Sequence, residues 1–315
     1  MIGEGARMKW TKWTQPLFQV HSMALAAAFA TPLAAAQPAT KPLTPSEIVT
    51  QAPASAWQAI AAEDLLVIDY EGGGRTVIQL APAFAPVHVA NIRALANGGY
   101  WQAASVYRVQ DNYVAQWGTN EEGKPLPSGV TPKPPAEYVR SARGLTIRPL
   151  GSPDSYAVAT GHALGWPVAR YKDGSVSLTH CYGTVGVGRD LAPDTGMGGE
   201  LYAVIGHAPR QLDRNIAIVG RVVEGIEQLS ALPRGTEALG FYKEGTVAKK
   251  IASIRIASAM PAGDRPAFQV MAQGSAAFAA YLRARANRND DFYQVAAGGV
   301  DICNAPVLVR RTPAR

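Results

Sequence analysis

Arg108 and Gln116 interrupt the apolar residues of the stretch VYRVQDNYVAQWG, residues 106–118. The stretch reads as a hairpin of two half-buried strands. If it is symmetric about Asn112, the arginine and the glutamine lie directly opposite each other on one face, as hydrogen-bonding neighbours. A planar guanidinium can donate to the glutamine and to a further acceptor at the same time, and it stays charged while doing so. On a solvent face the same arginine would be an ordinary exposed side chain.

The other reactive side chains form no comparable set. Of His21, His88, His162, His180 and His207, none stands in an i, i+4 pair, beside a glutamate at ligand spacing or in a cysteine cluster, so no metal site is expected. His180 and Cys181 are adjacent on what reads as a strand, where neighbours point to opposite faces, which makes a poor base and nucleophile. The glycines of GTVGVGRD are not followed by a helix, which argues against phosphate or dinucleotide binding, and no G-x-S-x-G elbow occurs.

These residues sit in a chain of 315 residues, 47% hydrophobic, enough for one large domain or two modest ones. Lys9 and Lys12 precede the apolar run MALAAAFATPLAAA, which ends in an Ala-x-Ala pattern at Ala36. This predicts a signal peptide over residues 1–36, cleaved after Ala36, and a periplasmic mature protein. The run is short for a membrane span, and no other segment could cross a bilayer. Cleavage would leave 27 basic and 23 acidic residues, a formal charge of +4. No basic run is interleaved with aromatics, so nucleic acid is not an expected partner. Cys181 and Cys303 are the only cysteines. In an exported protein they suggest one disulfide tying the C-terminal segment to the main domain, with two buried thiols as the alternative.

Residues 37–47, QPATKPLTPSE, read as a linker, with a short helix over 55–62. LLVIDYEGGGRTVIQL reads as a hairpin, and PVHVANIRALANGG as an amphipathic helix with Pro86 at its start and Gly98 past its end. Residues 119–180 are too long for a plain connection and predict a loop insertion with small elements of its own. Strand patterns resume with SLTHCYGTVGVG, GELYAVIG and IAIVGRVVEG; a helix follows over 226–232, then the strand KKIASIRIAS. Met271, Ser275, Phe278 and Leu282 share a helical face, which predicts an added helix over 266–286 packing on the barrel. Strands joined by turns, with few helices, indicate a mainly β barrel or sandwich.

The ordered motifs resemble the cyclophilins. VYRVQDNYVAQWGT is similar to that family's F-H-R-V-x-x-x-F-M-x-Q-G-G-D, PVHVANIRALANGGYW to its first helix, GTVGVGRDLAPDTGMGGELYAVIG to its G-x-L-x-M-A-N-x-G-P-N-T-N-G-S-Q-F-F-I segment, and LDRNIAIVGRVVEGIEQL to its L-D-G-K-H-V-V-F-G-x-V-x-E-G-M segment. The resemblance implies a closed eight-stranded antiparallel β-barrel capped by two helices over residues 63–260, with an insertion at about 119–180 and a C-terminal helical extension over 261–315. It implies that Arg108 and Gln116 are catalytic, and that Tyr113, Val114, Glu200, Tyr202, Leu212 and Ile216 bind substrate. Tyr113 and Tyr202 stand where the family has phenylalanines, Val114 where it has methionine, Ile216 where it has histidine and Arg189 near its M-A-N asparagine. Gln211 replaces the tryptophan with which many members hold cyclosporin.

Two functions follow from the resemblance. One is a cofactor-free peptidyl-prolyl cis/trans isomerase acting on proline-containing peptides and unfolded exported proteins. The other is a catalytically weak module that uses the same cleft, or the added segments, to hold peptides or proteins.

Overall fold

The computed structural model describes residues 42–313, apart from residues 120, 122, 289 and 291. In chain order the helices are α1 (Pro45–Thr50), α2 (Pro86–Asn97), α3 (Glu227–Ser230) and α4 (Ala276–Ala286). The strands begin with β1 (Trp57–Ala59), β2 (Leu65–Tyr70), β3 (Arg75–Leu80), β4 (Ser105–Val109) and β5 (Val114–Gly118). The insertion contributes β6 (Arg140–Ser141), β7 (Arg148–Pro149), β8 (Ala159–Ala163), β9 (Trp166–Arg170) and β10 (Ser175–Leu178). Then come β11 (Thr184–Val187), β12 (Leu201–Val204), β13 (Ile218–Glu224), β14 (Lys249–Ile256), β15 (Phe268–Met271) and β16 (Val309–Arg311).

Eight of these strands close an antiparallel barrel in the order β11-β12-β5-β4-β14-β2-β3-β13. Closure removes free strand edges. Leu66, Ile68, Ile78, Leu80, Trp117, Leu201 and Val219 fill the interior; Val89, Ile92 and Leu95 of α2 and Leu229 of α3 complete the core. The expected barrel and its helices are therefore present. β2 is apolar on both faces for a reason: Leu66 and Ile68 point into the barrel, while Leu65 and Val67 pack outside it against Ala257, Met260 and Phe268. Its unbroken run of aliphatic residues reflects two-sided burial.

The insertion is more ordered than a loop. Its strands form a five-stranded sheet, β6-β10-β9-β8-β7, and Trp166, Val168 and Leu178 pack on Ala81, Phe84 and Ile218 of the barrel side. It also caps α2, whose own N-cap, Ala85, supplies no side-chain bond. The Glu137 carboxylate accepts the Val87 and His88 backbone N–H groups at 2.9 and 3.0 Å and the His88 ring Nδ1–H at 2.7 Å. A carboxylate here complements the helix dipole.

Three local expectations change. The linker stretch runs into α1, which Thr44 and Glu47 close with a reciprocal capping box. The helix expected over 55–62 is instead β1 between two short 3₁₀ turns, because Trp57 to Ala59 pair with β15. The helix expected over 266–286 divides: residues 268–271 are strand β15, Ser275 caps Phe278 N–H, and only Ala276–Ala286 is helical. Met271, Phe278 and Leu282 are buried as the pattern implied, but among Ala56, Trp57, Ala305 and Val307, with Ile48 and Val49 of α1, and not against the barrel interior. The signal-peptide stretch lies outside the described residues. Among the described residues no helix is long and apolar enough to cross a membrane.

Candidate active site

The β4–β5 hairpin turns at Asn112, which adopts a positive φ of 50°. Its side-chain oxygen accepts His207 N–H at 2.8 Å, and Gly206 lets the two turns touch, since a Cβ there would lie 2.2 Å from the Asn112 carbonyl carbon. With the tip anchored, Arg108 pairs directly with Gln116. The register slips between Val106 and Arg108, leaving Tyr107 as the extra residue of a β-bulge. A bulge re-aims side chains, and here Tyr107 and Arg108, although adjacent in sequence, both reach Gln116.

The hydrogen bonds fix the order of parts. Arg108 can only donate, so its Nη1 meets Gln116 Oε1 at 3.0 Å, and Gln116 Nε2 is left to donate to the Tyr107 hydroxyl at 2.5 Å. That hydroxyl in turn donates to Glu200 Oε2 at 2.5 Å. Burial, then the Glu200 charge, pushes the Tyr107 phenol far above its ordinary range, so it remains a donor. Arg108 Nε donates to the Leu239 carbonyl at 2.8 Å and Nη2 to Gln110 Oε1 at 2.7 Å. The Phe241 ring lies 5.3 Å from the guanidinium carbon and stacks on Tyr107. Desolvation lowers the Arg108 pKa, but an arginine remains a cation at neutral pH.

Arg108 and Gln116 open onto a cleft lined by Tyr113, Val114, Tyr202, Leu212 and Ile216 and rimmed by Arg189, Leu239 and Phe241. Seven of the eight residues expected at the site thus line one cleft. Glu200, expected to touch substrate, is not among the lining residues; its carboxylate faces Tyr107 behind Gln116.

Tyr202 is anchored from below. Its hydroxyl lies 2.9 Å from His180 Nε2, while His180 Nδ1 lies 2.9 Å from Asp213 Oδ1. A carboxylate requires the proton on Nδ1, and in the neutral ring Nε2 then accepts from the tyrosine. Asp213 also takes Arg210 Nε at 2.6 Å, and Arg210 continues to Asp154 at 2.9 and 3.2 Å. Burial works against the Arg210 charge, but Asp154 and Asp213 outweigh it and raise its pKa. Gly186, the cross-strand partner of Tyr202, makes room for the hydroxyl: a Cβ there would lie 2.3 Å from it. His180 and Cys181 lie in the turn between β10 and β11, not on one strand as expected. They still form no nucleophile pair, because Cys181 is bonded to Cys303, with Sγ atoms 2.05 Å apart.

Sequence reasoning missed Tyr107, His180, Asp213, Leu239 and Phe241. Strict alternation would turn Tyr107 away from the Arg108 face, and a bulge leaves no mark in the hydrophobic pattern. Leu239 and Phe241 belong to the connection between α3 and β14, whose composition signals a loop and nothing of where it folds.

A family model described as cyclophilin type peptidyl-prolyl cis-trans isomerase/CLD matches residues 65–259. Among solved structures, cyclophilin AquaCyp293 from Hirschia baltica is 22% identical with a TM-score of 0.64, covering 82% of this chain and 95% of its own. A cyclophilin type peptidyl-prolyl cis-trans isomerase of Cryptosporidium parvum, solved in the presence of the dipeptide Ala-Pro, is 14% identical with a TM-score of 0.38, covering 61% of this chain and 98% of its own. A search of curated proteins returned no match. Barrel, hairpin and family match agree, and the chain belongs to the cyclophilin-type peptidyl-prolyl cis-trans isomerases.

Proposed function

We propose that the protein accelerates cis/trans isomerisation of X-Pro bonds in exported proteins as they fold. The observation that carries this is the Arg108 guanidinium, held by Gln116 at the lip of the apolar saucer of Tyr113, Val114, Tyr202, Leu212 and Ile216.

Rotation about an X-Pro bond faces a barrier of about 18–20 kcal/mol and takes tens to hundreds of seconds uncatalysed. No covalent bond must break; the catalyst must fit the twisted amide better than either planar form. The saucer receives the proline ring. As the amide twists, the proline nitrogen loses conjugation and gains a lone pair. Arg108 has bonded three of its five N–H groups to Gln116, Gln110 and Leu239. The remaining two, one on each terminal nitrogen, are available to the substrate, and a donor that strengthens as the lone pair appears lowers the barrier. Gln116 fixes the fork, and Tyr107 and Glu200 act through Gln116 as positioning residues.

Export rests on the basic, apolar and Ala-x-Ala stretch before Gln37 and on the Cys181–Cys303 disulfide, which suits an oxidising compartment such as the periplasm. The weak binding module remains as a second reading on one observation: Leu239 and Phe241 already occupy the Nε and one face of Arg108. The cis-to-trans rate of a short Ala-Pro-Phe peptide, with the full chain and its Arg108→Ala variant, separates the two. The isomerase reading expects acceleration by the parent and loss in a folded variant. A folded parent that leaves the peptide at its uncatalysed rate would make the cleft a binding site.

A further inference from the structure

A second arginine, outside the cleft, is held in the same way. Arg221 on β13 is the cross-strand partner of Gln79 on β3. Its Nε and Nη2 donate to Gln79 Oε1 at 3.1 and 2.7 Å, and its Nη1 donates to the Gly165 carbonyl at 2.9 Å. The Trp166 ring covers the guanidinium at 4.4 Å. Every acceptor is neutral, and Arg221 makes no ion pair among the described residues. Three of its five N–H groups are thus used, leaving one on each terminal nitrogen. Burial without a carboxylate opposite pulls its pKa down to about 9.

This arginine lines a pocket, open in part to solvent, between the barrel wall, the insertion sheet and the C-terminal segment. The remaining walls are chiefly apolar, with Trp166, Leu178, Ile302 and Val307 among them, and the Cys181–Cys303 disulfide forms part of the boundary. A cation desolvated at the edge of an apolar chamber, with a donor unused on each end of its fork, matches a carboxylate attached to a hydrocarbon or aryl body. Paired donation of this kind is the strong form of arginine recognition. The walls come from the insertion and the C-terminal segment as well as from β13, so the pocket exists only because both additions fold against the barrel.

We propose that this pocket binds a small organic anion, its carboxylate received by Arg221 and its apolar body by Trp166, Ile302 and Val307. The proposal does not depend on the isomerase reading. Isothermal titration of the full oxidised chain with 3-phenylpropionate, and in parallel with its uncharged amide, tests it. The acid should bind saturably and at least about tenfold more tightly than the amide, the difference expected of hydrogen bonds made to a charged partner. Arg221→Met should lose that preference, Val307→Trp should fill the chamber and abolish binding with Arg221 intact, and Arg108→Ala should bind as the parent does. Should Arg221→Met not fold, Val307→Trp with the acid and amide pair decides alone. Equal affinity for acid and amide, no saturable binding, or binding that survives Val307→Trp or disappears in a folded Arg108→Ala would overturn it.

Discussion

Arg108 and Arg221 are the same device in two settings. Each stands on a barrel strand opposite a glutamine, each gives a further bond to a loop carbonyl, Leu239 or Gly165, and each is covered by one aromatic ring, Phe241 or Trp166. What differs is the neighbourhood. Arg108 borders an open cleft whose saucer suits a neutral proline ring, and its glutamine is steadied from behind by Tyr107 and Glu200. Arg221 borders a chamber walled partly by the barrel and partly by segments foreign to it, with a disulfide in its boundary. A pair of side chains therefore sets what can be donated, while the elements folded around it decide to what.

Four experiments would break or sharpen that contrast. The largest effect is expected from the disulfide, which bridges 122 residues of chain. Replacing both cysteines by alanine should cost on the order of 5 kcal/mol by the loop-entropy argument, read by urea unfolding of the oxidised protein. An unchanged midpoint would mean that the chamber wall stands without its covalent tie. Next, Arg108→Ala should reduce isomerisation a hundredfold or more, about 3–4 kcal/mol, as for loss of one positioned donor; a loss below tenfold would remove the distinction between a catalytic and a merely binding arginine.

The third concerns His162 on β8, which packs edge-on against Phe278 and donates Nε2–H to the Ala305 carbonyl at 2.8 Å. Its Nδ1 is buried without a partner among the described residues. Burial first, and then the charges of Arg221 and Arg148, depress its pKa to about 4 against 6.5 for the free side chain. The unfolded chain therefore binds this proton first. The neutral ring's contribution is complete above pH 6.5 and is lost as the pH falls toward 4, by about 3 kcal/mol at most. Unfolding free energies of parent and His162→Phe across that window should diverge by this slope; parallel curves would contradict it. The smallest effect is expected from Tyr107→Phe, which removes the hydroxyl between Gln116 and Glu200. It should lower kcat roughly tenfold with KM nearly unchanged, the scale of one hydrogen bond near a charge. A rise in KM alone would place Tyr107 in substrate binding instead.

The barrel was legible in the sequence because its cues are local. Pro86 and Gly98 bracket α2, three glycines turn the β2–β3 hairpin, and the spacing about Asn112 set Arg108 against Gln116. The additions were less legible because their pairing partners are remote. Trp57 becomes a strand residue only because Met271 lies beside it, and residues 268–271, helical by periodicity, answer to the same pairing. The site shows the same division. Its lining residues followed from the hairpin and the family motifs, whereas the anchoring of Tyr202 by His180 and Asp213 joins three separate stretches of chain that no spacing connects. Glu200 was found by its place in a motif, but its role depended on a bulge that the motif does not record.

The disulfide also bears on the order of synthesis. The ring of chain it closes contains β11 to β14, half of the barrel, and leaves β2 to β5 outside. Cys303 emerges after every barrel strand, so the sheet can pair before the ring can shut. With two cysteines in the chain there is one intramolecular pairing to find. A maturing molecule therefore needs an oxidant but no reshuffling of wrong bonds, and the bond can close as a latch on a barrel already assembled.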